Sequence, residues 1–405
     1  MKTRKKILFI ALAQSTHTHA WINLLTGLKF QVRLIGITRT KAPKDFKFPT
    51  YTFDLALARR EELRLREKTY FQRLKNIIIK EKEMPFKTDQ ELEDEWLANI
   101  IKSWKPNIIH TLGFDPAGYE YLRVKNTNNL SKIGIWLATV RGGPELALNH
   151  LLPSECTKIK KILQFCDQLI ADNIQNYEIA VELGLAPNKI SPLGVIPGTG
   201  GVDIEELSKM RKTKASQSRI ILWPKAYECL ASKASPVFEA LKIAWKKIQP
   251  CEIYMTGIIP ETALWFQALP AEIKNACKIF ERMPRKHLLE LMTRARVVLA
   301  PSLADGIPNI LYEAMATGAL PVLSPLETIK NVVTEKNALF ARNLYPEEIA
   351  TALVKAMNDN ALVDQMTKDN FVLVKKIANR KILAQKVSRY YNELLRTKNK
   401  LDPEG

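Results

Sequence analysis

The sequence predicts an α/β protein built from two doubly wound parallel-sheet domains that face each other across a cleft. Three observations carry this. Short apolar runs alternate with longer helical patterns, and the alternation runs through the chain twice. Between the two series, LGVIPGTGGVD (193–203) sets four glycines and a proline in a short span and breaks the pattern. The chain has 405 residues, which is long for one core and suits two domains.

In order, the first series reads KILFIAL (6–12), QVRLIGI (31–37), NIIHTLG (107–113), KIGIWLATV (132–140) and QLIAD (168–172) as strands. The basic N-terminus before KILFIAL has the look of a signal peptide. The apolar stretch Ile7–Ala13 has only seven residues, however, and runs into QSTHTH, so a buried first strand is the expectation. Residues 57–83, with nine basic and five acidic side chains, read as a solvated helical region. TDQELEDEWLANIIKSW opens with Thr88 and Glu91, the spacing of a capping box, and Pro106 follows its end. KMRKTKASQSR (209–219) is polar and turn-like. The second series reads RIILWP (219–224), CEIYMTG (251–257), CKIFERM (277–283), RVVLAPS (296–302) and LPVLS (320–324) as strands. PVFEALKIAWKKI (236–248) and RKHLLELMTRA (285–295) lie between them as helices. The expected domains are 1–200, 201–385 and a basic C-terminal helix or tail, 386–405, that packs back on the first domain.

Hydrophobic content of 46% and charged content of 25% are those of a soluble globular protein. No apolar run approaches the ~20 residues that span a bilayer. Five scattered cysteines without a C-x-x-C pair suit reduced thiols in the cytoplasm. Five histidines show no metal spacing; His17 and His19 lack a third ligand, so no metal site is expected. The net charge of +19 points to anionic partners. Residues 1–50 carry ten basic residues and one acid, and residues 371–400 nine and one. The latter stretch has helical periodicity with Tyr390 and Tyr391, and such a helix can lie on an anionic membrane face or simply be solvated. No nucleic-acid-binding motif is present, so nucleic acid is not an expected partner.

The chemistry concentrates in SLADGIPNILYEAMATGALPVLS (302–324). Pro308 suits the first position of a helix and Gly318 its end. Ile307, Ile310, Leu311, Ala314, Met315 and Gly318 recur at helical spacing and face the core, leaving Asn309 and Glu313 on the other side. The helix start offers free N–H groups to an anion. Gly306 allows close backbone approach by a ligand. Asp305 and Glu313 flank that position as acceptors for hydroxyls. A nucleotide sugar, with its sugar, diphosphate and ribose, fits all of these features.

This stretch resembles the signature of retaining glycosyltransferases of family 4, glycosyl transferases group 1, which have the GT-B fold of two Rossmann-like domains. Pro301, Ser302, Gly306, Pro308, Glu313, Ala314, Met315, Ala316, Gly318, Pro321 and Val322 match. The first acid is Asp305 where Glu is usual. VIPGTGGVD resembles the segment entering the family's second domain. STHTHAW (15–21) resembles its first loop, which implies that His17 and Trp21 stand at the cleft, and PNIIHTLG implies the same for His110. In TVRGGPEL (139–146), Arg141 replaces the family's histidine. WPKAYECLASKASPVFEAL places Lys225 near the family's phosphate-binding Arg and Lys233 at its Lys.

The resemblance implies transfer of a sugar from a nucleoside-diphosphate donor to an acceptor, with retention, no metal and no cofactor. Lys225, Lys233, Arg141 and His17 would serve catalysis, while Asp305, Gly306, Ile307, Pro308, Asn309 and Glu313 would hold the donor. Trp21 and His110 would line the acceptor side. The basic regions suggest a lipid-linked or polysaccharide acceptor at the cytoplasmic membrane face. A non-catalytic nucleotide-sugar or glycan-binding protein, or an epimerase or hydrolase on the same scaffold, are the alternatives.

Overall fold

The computed structural model describes residues 4–75, 86–142, 144–211 and 213–401. The first sheet contains β1 (Lys5–Leu12), β2 (Phe30–Ile37), β3 (Thr50–Thr52), β4 (Ile108–Leu112), β5 (Ile135–Val140) and β6 (Gln168–Ala171). The second contains β7 (Ile220–Trp223), β8 (Glu252–Thr256), β9 (Cys277–Phe280), β10 (Val297–Ala300), β11 (Leu320–Leu323) and β12 (Leu339–Phe340). Their orders are β3-β2-β1-β4-β5-β6 and β12-β11-β10-β7-β8-β9. The second order, counted from its own first strand, repeats the first. Every pairing is parallel, for example Ile7 with Val32 and Ile108, and Val298 with Pro321 and Leu222. Both domains are therefore doubly wound.

All ten expected strands are present. The two missed strands, β3 and β12, are edge strands of three and two residues, too short to carry a period. The capping box forms as expected: Thr88 Oγ1 accepts from Glu91 N at 3.2 Å and Thr88 N donates to Glu91 Oε2 at 2.6 Å. The charged region is a helix over Leu55–Lys75; its expected continuation through 76–83 lies outside the described residues.

In each sheet the strand order reverses beside the first strand, at β1/β4 and at β7/β10. Loops leaving these strands diverge and open a crevice, the usual ligand position in such sheets. The two crevices face each other.

The C-terminal helix, Arg380–Leu401, packs on the first domain. Its Leu383, Val387, Tyr390, Tyr391 and Leu395 share a core with Ile7, Phe9 and Trp21. Tyr390 and Tyr391 are therefore core residues, and this face of the helix is not free for lipid. The Tyr391 hydroxyl accepts from Trp21 Nε1 at 3.2 Å and meets His110 Nδ1 at 2.8 Å. His110 Nε2 in turn meets Thr139 Oγ1 at 2.6 Å. Trp21 and His110, expected at the cleft, are both buried in this network and do not line it. Their positions follow from their strand and helix: each side chain points to the face of the sheet that the C-terminal helix covers.

Tyr391→Phe keeps the ring but strands Trp21 Nε1–H and His110 Nδ1. The expected cost is about 1–3 kcal/mol, read as a lowered thermal unfolding midpoint. An unchanged midpoint would show that the network adds nothing. Burial, and secondarily Arg141, hold the His110 imidazolium form well below its ordinary value near 6.5. A lowered folded value means that His110 supports the fold above that pH and opposes it as pH falls.

Candidate active site

The facing crevices form a cleft of 980 Å³. A second hollow of 750 Å³ on the flank of the first domain, around Glu120 and Lys158, holds none of the expected site residues.

On the second domain, the loop after β10 leads into a helix over Asn309–Thr317. Pro308 stands just before the helix, extended at φ −66° and ψ 133°, not as its first residue. The ring fixes φ either way; its ψ turns the chain out of the loop. Gly318 ends the helix in the left-handed region at φ 77°, as expected. Ile310–Thr317 are all buried, because helices Ile204–Met210, Arg285–Arg294 and Asn360–Ile377 of the same domain pack around them, Arg285 covering Glu313.

Gly306 has a role that the sequence did not suggest. A Cβ there would lie 2.7 Å from Gly142 Cα and 3.0 Å from Asp172 Oδ2. The missing side chain admits the first domain's backbone at that point, so the close approach is between domains. Thr328 Oγ1 fixes the turn by donating to Asp305 O at 2.9 Å and Gly306 O at 3.1 Å.

Both expected donor-side carboxylates are met by cations. Asp305 Oδ2 contacts Lys225 Nζ at 2.6 Å, and Glu313 Oε1 contacts Arg285 Nη2 at 2.5 Å. Burial opposes the Lys225 charge, but Asp305 outweighs it and holds the ammonium form above its ordinary range. Burial pushes Glu313 up, against the pull of Arg285 and Lys225. Arg285 was missed in the sequence because it begins a helix, Arg285–Arg294, that reads only as amphipathic. Lys233 is not in the cleft. Its Nζ lies 3.4 Å from Glu228 Oε2, and Glu228 Oε1 accepts from Ala234 N at 2.8 Å at the start of the helix Ser235–Ile248. The long loop from 225 to 233 supplies that acid, which draws Lys233 aside.

On the first domain, His17 follows β1 and its Nδ1 lies 3.3 Å from Asn309 Nδ2, across the cleft. Asn309 Oδ1 also accepts from Thr199 Oγ1 at 2.7 Å. Arg380 donates to Thr199 O at 2.9 Å and to Ala20 O, tying the linker to the His17 helix. Part of the His17 ring meets solvent, yet the crowded cleft around it lowers its value to about 4, with Arg141 and Arg285 adding to the effect. His17 is thus neutral at ordinary pH.

Arg141 follows β5 and lines the cleft. Its backbone N–H donates to Glu145 Oε2 at 2.7 Å, while Gly142 N donates to Asp172 Oδ2 at 2.8 Å. Burial pushes Glu145 up to about 7 and Asp172 up to about 6, against the pull of these backbone donors. Asp172 did not stand out in the sequence, while Glu145, four residues after Arg141, takes the Arg141 backbone N–H and not its guanidinium. Because their folded values are raised, their contribution to stability is fully present below their unfolded values near 4 and is lost as pH rises through about 6 and 7. Glu145→Gln removes one such group. Its unfolding midpoint relative to the parent is expected to shift upward between about pH 5 and pH 8; a constant difference would refute the raised value.

Among the described residues, no three His, Cys, Asp or Glu side chains are grouped to hold a metal ion, and no helix is long and apolar enough to cross a membrane.

Residues 233–371 match the family model for glycosyl transferases group 1. No curated protein matches the chain. Among solved structures, the chain resembles Anabaena HepE in complex with UDP-glucose, with 11% identity, TM-score 0.70, and 96% of this chain and 99% of that one covered. It also resembles sucrose-phosphate synthase from Thermosynechococcus elongatus, with 14% identity, TM-score 0.68, and 97% and 100% covered. A putative UDP-N-acetylglucosamine 2-epimerase from Listeria monocytogenes matches at 11% identity and TM-score 0.62, with 100% and 98% covered. At these identities the structures speak for the fold alone. The family match spans the turn and helix that carry Asp305 and Glu313, and on that ground the protein is an enzyme of the glycosyltransferase class, with a glycosyl transferases group 1 domain on a GT-B fold.

Proposed function

We propose that the protein transfers a glycosyl group from a nucleoside-diphosphate sugar to an acceptor hydroxyl held by the first domain, with retention of configuration and without a metal. One observation carries this reading. Asp305 and Glu313 flank a helix start, each beside a cation, and face His17 and Arg141 across the cleft.

The diphosphate is drawn to Lys225, Arg285 and the N–H groups at Asn309. As the cations turn to phosphate, Asp305 is released to accept from sugar hydroxyls and Glu313 from ribose hydroxyls. The bond from the anomeric carbon to the diphosphate breaks, and its electron pair leaves with the phosphate oxygen. The gained charge is met by the same cations, already in place. The acceptor oxygen bonds to the anomeric carbon on the same face, and its proton passes to the departing phosphate. His17, neutral, serves as a hydrogen-bonding partner at the cleft mouth. The basic first fifty residues and C-terminal helix favour a lipid-linked or polysaccharide acceptor at the cytoplasmic membrane face, approached through basic side chains since the apolar face of that helix is buried.

The test is a screen of nucleotide sugars, beginning with UDP-glucose, by thermal shift and by release of nucleoside diphosphate with and without acceptors. Acceptor-dependent release supports transfer. Tight binding without turnover supports the binding-protein alternative, and acceptor-independent release supports a hydrolase. If no nucleotide sugar binds, the reading fails.

A further inference from the structure

The cations of the cleft are not equivalent. Lys225 and Arg285 each have a carboxylate partner. Arg141 has none. Its Nε and Nη2 are buried and make no hydrogen bond among the described residues. The neighbouring acids do not fill that need. Glu145 spends its oxygens on the backbone N–H groups of Arg141, Phe114 and Asp115. Asp172 spends its own on Gly142 N and the side chains of Asn173 and Asn176. Both acids support the Arg141 charge through space, but their oxygens are taken by these other donors, and neither hydrogen-bonds its Nε or Nη2. The side chain is nevertheless held in place, since its Cδ packs near Gly198, where a Cβ would stand 3.5 Å away.

Two buried guanidinium nitrogens without a hydrogen bond are costly, and the planar fork suits carboxylate or phosphate. The helix start at Asn309, with Lys225 and Arg285, already offers one anion site on the second domain. Arg141 lies on the first domain, after β5, on the opposite wall.

We propose that Arg141 binds a second anionic group of the substrate pair, a carboxylate or phosphate distinct from the donor's diphosphate, so that the enzyme acts on an acidic donor sugar or a phosphorylated acceptor. This deepens the proposed function and rests on it. Two sources supply the same chemistry: the group rides either on the transferred sugar, as in a uronic acid, or on the acceptor.

The experiment compares parent, Arg141→Met and Arg141→Lys with matched ligands. Binding of UDP-glucuronate and UDP-glucose tests the donor; transfer to a hexose phosphate and to the same hexose tests the acceptor. In one arm or the other, the parent is expected to favour the acidic partner by about tenfold or more, as for a charge-assisted contact. Arg141→Met is expected to reduce that ratio by a similar factor, and Arg141→Lys to retain part of it. Which arm responds identifies the source. A preference absent from both arms, or affinities for acidic and neutral ligands that fall together in Arg141→Met, would overturn the inference and make Arg141 a diphosphate ligand. Thermal unfolding adds an independent reading. Removing an unpartnered buried charge should leave the midpoint unchanged or raise it; a clear fall would make Arg141 structural and overturn the inference. Failure of any nucleotide sugar to bind the parent would bring down the proposed function and this inference together. Binding that depends on Glu313 but shows no charge preference would bring down the inference alone.

Discussion

Lys225→Met is expected to lower kcat for glycosyl transfer by about 100- to 1,000-fold, the usual effect of removing one preorganised group that meets charge developing in the transition state. The expectation rests on position. Lys225 follows β7 at the reversal of strand order, and Asp305, 2.6 Å away, keeps it protonated and in place. Its charge matters most when the diphosphate gains a negative charge on leaving, so kcat should fall more than KM rises. Substitution also strands Asp305, and this alone disturbs the site. Two variants separate the causes. Lys225→Arg keeps the charge and should recover part of the rate. Asp305→Asn with Lys225→Met removes both partners; if stranding were the whole effect, this double variant would recover to the rate of Asp305→Asn alone. Its recovery, or a Lys225→Met rate within about threefold of the parent, would remove Lys225 from the leaving-group site.

Ten of twelve strands were legible because each is an apolar run bounded by turns, and a doubly wound sheet leaves that mark wherever strands are buried on both faces. The edge strands β3 and β12, of three and two residues, are too short to leave one. Within the site, the turn from Asp305 to Glu313 was legible as an ordered local pattern: acid, turn, helix start, acid. Its partners were not. Arg285 and Asp172 reach the cleft from separate elements, and no local spacing connects them. Trp21 and His110 were misplaced for a related reason. Trp21 lies on the buried side of the helix Thr16–Ile22, His110 points to one face of the sheet, and both are covered by a helix that begins only at residue 380. Lys233 illustrates the limit of matching a motif across a longer loop. The added residues include Glu228, which caps a helix and draws the lysine out of the cleft.

The same geometry indicates how the domains are held in register. Gly306 meets Gly142, Asn309 meets His17, and Asn309 also meets Thr199 of the linker, which Arg380 ties back to Ala20. One turn of the second domain thus carries both the donor-side acids and the contacts to the first domain. A ligand that reorients Asn309 or Asp305 acts on the interface as well.

Glu313→Ala is expected to weaken binding of the nucleotide sugar by about 10- to 100-fold, equivalent to one hydrogen bond to a charged group of about 1.5–3 kcal/mol. Glu313 is 3% exposed and its carboxylate is held at the cleft wall by Arg285. Two roles fit that geometry. The acid binds ribose hydroxyls itself, or it only restrains Arg285 for the diphosphate. A double-mutant cycle tells them apart. If Glu313 binds ribose, Glu313→Ala remains weak in an Arg285→Met background, and its loss appears equally with the nucleoside diphosphate and the nucleotide sugar. It should also shrink with a 2′,3′-dideoxyribose analogue, which lacks the hydroxyls. If Glu313 only restrains Arg285, its substitution has no further effect once Arg285→Met is present, and the dideoxy analogue is weakened as much as the ribose form. Affinity in Glu313→Ala equal to that of the parent would remove this residue from the donor site altogether. The buried position makes the choice of ligand series decisive, since binding to the parent and to a variant with an altered fold would differ for every ligand, whereas loss of a ribose contact is selective for the hydroxyls.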